Sequence, residues 1–404
     1  MNKHVLYLSY DGMTDPLGQS QVLAYIKELT DHGFTFHLIS FEKKDRFEKD
    51  GEHIKNLCDK VGIKWHPLFY RKNPPVLSTL LDIASMKKEA QKILDQYPIA
   101  FIHCRSYISG LVALDIKQKT GIEFLFDMRG FWADERVDGN IWSLKNPIYK
   151  YIYNYFKKKE KQFFNESKHI ISLTHKAVDE IKSFGLSNVN AEKISVIPCC
   201  VNTELFDTQS ISNSLTLDIR RDLGLGVNDY IIGYVGSLGT WYMLPEMMQL
   251  YAQLRKAKGN TKFLFVTRED KENIYSAARK EGVPENEIII SSCMHHEVPA
   301  YMSLFNLSIF FILPAYSKMA SSPVKQGELM AMGIPIICNA GVGDTDRIIE
   351  EGNAGIVLAN TKQESFKNIH IPQFNTDNIK NYAKDKFSLK NGSLKYLIAY
   401  KKFF

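Results

Sequence analysis

Two ionisable residues three apart, Lys325 and Glu328, open the segment SSPVKQGELMAMGIPI (321–336), whose remaining positions suit burial. At that spacing on a helix they share one face. The apolar run before them, LSIFFILP, reads as a buried strand, so the pair is expected on the loop and helix N-terminus beyond its carboxyl end. A lysine there can meet a phosphate together with free helix N–H groups, and a carboxylate can accept hydrogen bonds from a pair of ribose hydroxyls. The alternative is a surface Lys–Glu pair worth about 0.2–0.5 kcal/mol.

Three further stretches carry residues suited to chemistry. The loop DMRGFWADERVDG (127–139) gathers Asp127, Arg129, Asp134, Glu135, Arg136 and Asp138 around Phe131 and Trp132. Aromatics beside polar groups suit a sugar ring, with its apolar faces and hydroxyls. HCRSY (103–107) brings Arg105 to the same rim, although the charges could instead neutralise one another around a long loop. YDGMTDPLGQSQVLAY places Gly12 and Gly18 ahead of a helix expected near Ser20, where glycines either admit an anion close to the backbone or shape a turn. GYVGSLGTWY spaces Gly233, Gly236 and Gly239 as G-x-x-G-x-x-G, which lacks the pattern of a nicotinamide-binding loop and leaves a dehydrogenase a weak competitor. His295 and His296 have no spacing for zinc and read as loop residues.

The elements that must position these groups alternate. Short β-branched or aromatic runs (HVLYLS, FTFHLISF, IKWHPLF, IAFIHC, IEFLFD, HIISLT, ISVIP) are separated by longer amphipathic segments, which is the pattern of a parallel sheet. After a polar stretch the alternation restarts with YIIGYVG, TKFLFVT, EIIISS, LSIFFIL and IPIICN. The expectation is an α/β chain of two Rossmann-like domains facing across a cleft, residues 1–200 and 201–380. A terminal helix over 381–404, with Leu394, Leu397, Ile398 and Tyr400 at helical spacing, should return to the first domain.

Composition bounds the function. Of 404 residues, 45% are hydrophobic and 24% charged, which excludes a disordered chain. A formal charge of +6 favours an anionic partner such as a nucleotide, a phosphate or an acidic membrane surface. The six cysteines follow no metal or redox spacing, so a reduced cytoplasmic setting is expected. The start, MNKHVLYLSYDG, turns polar too soon for a secretory signal, and no run is long enough to span a membrane. The helix expected over 146–168 interleaves aromatics with lysines; it either packs one stripe on the sheet or lies on an anionic membrane surface.

These motifs together resemble the retaining glycosyltransferases of family 4, the group 1 transferases of GT-B fold, over nearly the whole chain. VIPCCVNTELF is similar to the family's VIPNGVDTERF; SSPVKQGELMAMGIPII matches its P-x-K-x-x-E signature, the most specific of the set. HHEVPAYMSLFNLSIFFIL and NAGVGDTDRIIEEGNAGIVL resemble the segments around that signature. The resemblance implies that Glu328 binds the donor ribose, Lys325 lies near the diphosphate, Gly18 faces diphosphate and acceptor, and Ser237, Leu238 and Gly239 line the nucleotide pocket.

The chain departs from the family pattern at three points. Ala320 stands where the family commonly has the first glutamate of an E-x7-E pair, and Arg129 stands about where a histidine often faces the reacting sugar. The basic pair of the first loop in the second domain is replaced by Ser237 and aromatics, with Arg268 and Lys318 as candidates to supply the charge.

The implied reaction moves a sugar from a nucleotide-sugar donor to a glycan or lipid-linked acceptor with retention. Lys325, Arg129 and Asp134 are the expected catalytic groups, with Arg105, Trp132 and Glu135 on the acceptor side. No metal, other cofactor or nucleic acid is expected, and the protein would work in the cytoplasm or at the inner face of its membrane. Rival readings are a non-catalytic GT-B partner in a glycan-assembly complex, and an epimerase or phosphorylase sharing the fold.

Overall fold

A computed structural model describes residues 3–367 and 369–404. The chain divides into two compact units, Met1–Pro198 with Leu389–Phe404, and Cys199–Ser388. Each is a parallel sheet wrapped by helices, so the expected pair of Rossmann-like domains is present.

Unit 1 has seven strands: β1 (Lys3–Ser9), β2 (Phe34–Glu42), β3 (Lys64–Phe69), β4 (Ile99–Arg105), β5 (Phe124–Asp127), β6 (His169–Ser172) and β7 (Ile194–Val196). Their spatial order is β3-β2-β1-β4-β5-β6-β7. Central strands such as β5 and β6 are buried throughout, because helices cover both faces of a parallel sheet; edge strand β3 is half-buried. The order reverses between β1 and β4, so the loops leaving their carboxyl ends diverge and leave a crevice.

Unit 2 has six strands: β8 (Tyr230–Val235), β9 (Thr261–Val266), β10 (Ile288–Ser291), β11 (Leu307–Phe310), β12 (Ile336–Asn339) and β13 (Gly355–Leu358), in the order β10-β9-β8-β11-β12-β13. Here the reversal falls between β8 and β11. The helix Val324–Ala331 that carries Lys325 and Glu328 follows β11, as its sequence position requires.

Gly233 lies inside β8, within the strand expected from YIIGYVG, and a Cβ there would come within 2.1 Å of the Phe305 ring. One expectation needs correction. The terminal helix, Leu389–Lys401, does not bury the Leu394 and Ile398 face, which is exposed. It buries Gly392, Ser393, Tyr396, Ala399 and Tyr400, because unit 1 offers polar partners for the two tyrosine hydroxyls.

Candidate functional site

In unit 2, Lys325 is buried, and its Nζ donates to Tyr234 Oη at 2.9 Å. The ammonium also lies 4.0 Å from the Tyr234 ring centroid and 3.7 Å from that of Tyr242. Among the described residues no carboxylate comes within ion-pair distance of it. Burial drives its pKa well below the ordinary lysine value, and the charge of Glu328 offsets this only in part. Two desolvated cation–π contacts repay some of the cost, about 2 kcal/mol each, yet the cage holds no counter-anion of its own.

Glu328, one helical turn on, is largely covered, with Oε1 3.7 Å from His295 Nε2. His295 sits in the short turn His295–Glu297 after β10, its ring edge-on to Phe206. Glu328 raises the His295 pKa against the opposing effect of burial. Sequence reading set His295 aside; its partner lies 33 positions away, and only the packing of two βα units brings them together.

The loop after β8 lines the same cage. Gly236 has φ +100°, and a Cβ there would lie 3.5 Å from Lys325 Nζ, so the bare backbone runs past the ammonium. Tyr234 Oη donates to Ser237 O at 2.6 Å. The Gly236 N–H is taken by Val266 O and that of Leu238 by Glu269 Oε1, while those of Ser237 and Gly239 make no hydrogen bond among the described residues. Lys318, from the turn Tyr316–Ala320, lies 3.6 Å from the Trp241 ring centroid. Arg268 is exposed and reaches Cys293 O at 3.4 Å, in the segment that bears His295. Ala320, in the position of the missing glutamate, is buried.

In unit 1 the carboxyl ends of β1, β4 and β5 meet around Asp127. This buried carboxylate accepts from Tyr396 Oη at 2.9 Å, with His103 Nε2 at 3.5 Å, Arg105 Nη1 at 3.8 Å and Arg129 Nη1 at 3.9 Å. Burial alone would raise its pKa, but Arg129, His103 and Arg105 together hold it down to about 2. Arg105 Nε donates to Asp11 Oδ2 at 2.9 Å, and Arg129 Nη2 to Gln21 Oε1 at 3.4 Å. Arg129 is held at φ +59°, a left-handed backbone state uncommon for a side chain of its size. Gln21 belongs to a π-helical turn, Gln19–Leu23, in the helical run after Gly18.

Other expected site residues fall elsewhere. Asp134 is buried and satisfied by Tyr153 Oη at 2.8 Å and Lys157 Nζ at 2.7 Å, which makes it an anchor for the helix Pro147–Glu166. Trp132 packs among Tyr107, Trp142 and Phe156 with Arg136 over its ring. Glu135 is half-buried on the same short helix, Trp132–Asp138. Gly18 is explained by packing, since a Cβ would fall 2.0 Å from Gly12 O.

The whole glycine loop hangs on Glu42, a residue sequence reading did not single out. Its buried carboxylate accepts from Met13 N, Thr14 N, Thr14 Oγ1 and Ser40 Oγ at 2.6–2.9 Å. Among the described residues, no group of three His, Cys, Asp or Glu side chains is placed to hold a metal ion.

The model of Glycosyltransferase Family 4 matches residues 18–205, and that of Glycosyl transferases group 1 matches residues 216–382. No curated protein matches the chain by sequence. Among solved structures, the chain is similar to a glycosyltransferase from Rickettsia africae (15% identity, TM-score 0.68, covering 100% of this chain and 98% of that one). It is also similar to Anabaena HepE in complex with UDP and glucose (13%, 0.66, 99% and 99%). A third is WaaG, a glycosyltransferase involved in lipopolysaccharide biosynthesis (14%, 0.62, 97% and 93%). At such identities the structural likeness bears on the fold alone, while the two family models together span most of the sequence. The chain therefore belongs to the group 1 glycosyltransferases of GT-B type.

Proposed function

We propose that the protein transfers a sugar, with retention, from a nucleotide-sugar donor to a glycan or lipid-linked acceptor. The setting would be the assembly of bacterial surface polysaccharide at the inner face of the cytoplasmic membrane. The observation that carries the donor reading is Lys325: a buried ammonium caged by Tyr234 and Tyr242, without a carboxylate counter-ion among the described residues, beside the bare backbone of Gly236. An anionic ligand would supply the missing charge. HepE is solved in complex with UDP and glucose, and WaaG is involved in lipopolysaccharide biosynthesis; both support this reading of donor and acceptor.

In this reading Lys325 and the start of its helix receive the diphosphate, and Glu328 receives the ribose hydroxyls. Departure of the diphosphate from an oxocarbenium-like sugar concentrates negative charge that those groups would meet, which is the main catalytic requirement. Lys318 and Arg268 are further cations of unit 2 that could share the load. Arg129 and Arg105, fixed by Asp127 and Asp11, would face the acceptor side. Retention without a carboxylate nucleophile would follow from attack on the same face as the leaving phosphate.

The rival, a non-catalytic partner in glycan assembly, has buried Ala320 on its side, since a glutamate is expected there. Thermal stability against UDP, GDP, ADP, CMP and their common sugar conjugates separates the two, because a ligand selective for the folded state raises the melting temperature. A rise with one base is expected. No rise with any, at millimolar ligand, would overturn the transferase reading.

A further inference from the structure

Two exposed apolar segments of unit 1 lie at one edge of its sheet. The first follows β3: Phe69, Tyr70, Val76, Leu77, Leu80 and Leu81 are all exposed, Leu80 by 58%. The second leads into and along the helix Pro147–Glu166, with Ile141, Leu144, Ile148, Tyr151 and Tyr155 exposed, Tyr151 by 74%. That helix does pack one aromatic stripe inward, through Phe156, Phe163 and Phe164, so the exposed side chains are a separate face.

Topology places both segments together. With strand order β3-β2-β1-β4-β5-β6-β7 and right-handed crossovers, the helices Leu77–Gln96, Ser106–Thr120 and Pro147–Glu166 fall side by side on one face of the sheet. The first packs on the second and the second on the third. Each begins after the carboxyl end of its strand, so the exposed residues of 69–81 and 141–159 share the edge that also carries Arg105 and Arg129.

Charge selects the occupant. Neither 69–81 nor 141–159 contains an acidic residue, whereas they contribute Arg71, Lys72 and five lysines, among them Lys145, Lys150 and Lys158. Arg71 is paired with buried Asp82, and Lys157 is paired with Asp134 and Glu160. Apolar side chains interleaved with cations and free of carboxylates suit the boundary of a bilayer with anionic headgroups. The acids that follow the two segments, Asp82 and Glu160, are buried, so the exposed side chains of both are apolar, neutral polar or cationic, a bias that a protein partner of ordinary composition would not require.

We propose that this edge of unit 1 docks on an anionic lipid surface through two separated footholds, residues 69–81 and 141–159. Apolar side chains enter the headgroup region while the lysines meet lipid phosphates. The proposal names the surface for the membrane setting given above but does not rest on the sugar-transfer reading, since vesicle binding needs no nucleotide.

The test is co-sedimentation of the full chain with vesicles of phosphatidylcholine, alone or mixed with phosphatidylglycerol. Binding to the mixed vesicles is expected, weakening with salt. Leu80→Ser with Leu81→Ser, and separately Ile148→Ser with Tyr151→Ser, should each lower partitioning about tenfold or more; Lys145→Glu with Lys150→Glu should abolish the preference for anionic lipid. All six positions are exposed, and unchanged far-UV circular dichroism verifies that each variant is folded. Failure of wild type to bind either vesicle overturns the proposal. So does binding that only one of the two apolar pairs affects, or a wild-type dimer that these substitutions dissociate.

Discussion

Glu328 Oε1 lies 3.7 Å from His295 Nε2, so the carboxylate expected to hold the ribose already has a titratable neighbour. Glu328 raises the His295 pKa, so the charged imidazolium persists to higher pH than an ordinary histidine. Acidification should therefore strengthen the hold of His295 on Glu328 and weaken nucleotide binding. The ratio of wild-type to His295→Asn affinity, measured by calorimetry from about pH 5 to 8, should rise as pH rises; a flat ratio would refute the coupling. For stability the sign is opposite. A raised folded pKa contributes stability that is fully present below the unfolded value near 6.5 and disappears as pH rises through the folded one. The melting advantage of wild type over His295→Asn should shrink toward alkaline pH.

Glu328→Ala should weaken nucleotide binding about 10- to 100-fold, the loss of charge-assisted hydrogen bonds worth ~1.5–3 kcal/mol. Far-UV circular dichroism should be unchanged, because Glu328 is at the surface of its site and not in the core. Unaltered affinity in titration calorimetry would remove the ribose assignment.

Lys325→Met removes a charge from a site where burial already depresses the lysine pKa. Replacing such a group by an apolar one of similar shape is neutral or stabilising. The variant should melt no lower than wild type while losing about 100-fold or more of transfer activity. A large fall in melting temperature would mean that Lys325 holds the fold together.

Asp127, with its pKa held at about 2 against an ordinary 3.8, contributes stability that is present above the ordinary value and lost as pH falls toward 2. Asp127→Asn should therefore flatten the acid limb of the stability profile between about pH 4 and 2. Tyr396→Phe, which removes the hydroxyl donating to Asp127, should cost about 1–3 kcal/mol in denaturant unfolding.

Glu42→Ala would strip four buried donors of their acceptor at once. A loss of about 3 kcal/mol or more is expected, together with faster amide exchange at Met13 and Thr14.

Much of the fold was legible because a buried parallel strand needs an unbroken apolar run, and twelve such runs stand out. β13, with its sequence GIVL, escaped notice because three of its four residues are only half-buried and it follows a glycine turn. The helix face holding Lys325 and Glu328 could be read from spacing, but the Tyr234–Tyr242 cage could not, since it joins a strand to the far end of the following loop. The terminal helix misled for a related reason. Its buried face is chosen by hydroxyl partners on β4 and β5, and Tyr396 and Tyr400 win over Leu394 and Ile398 although the latter are more apolar.

That helix also fixes an order of events. Residues 389–404 complete unit 1, yet the ribosome makes them only after all of unit 2. Until they are made, His103 and Asp127 lack Tyr400 and Tyr396, and the Asp127 network closes only when residues 389–401 arrive. Unit 2, continuous from Cys199 to Ser388, has every residue it needs before its neighbour does, so the nascent chain would finish its second half first.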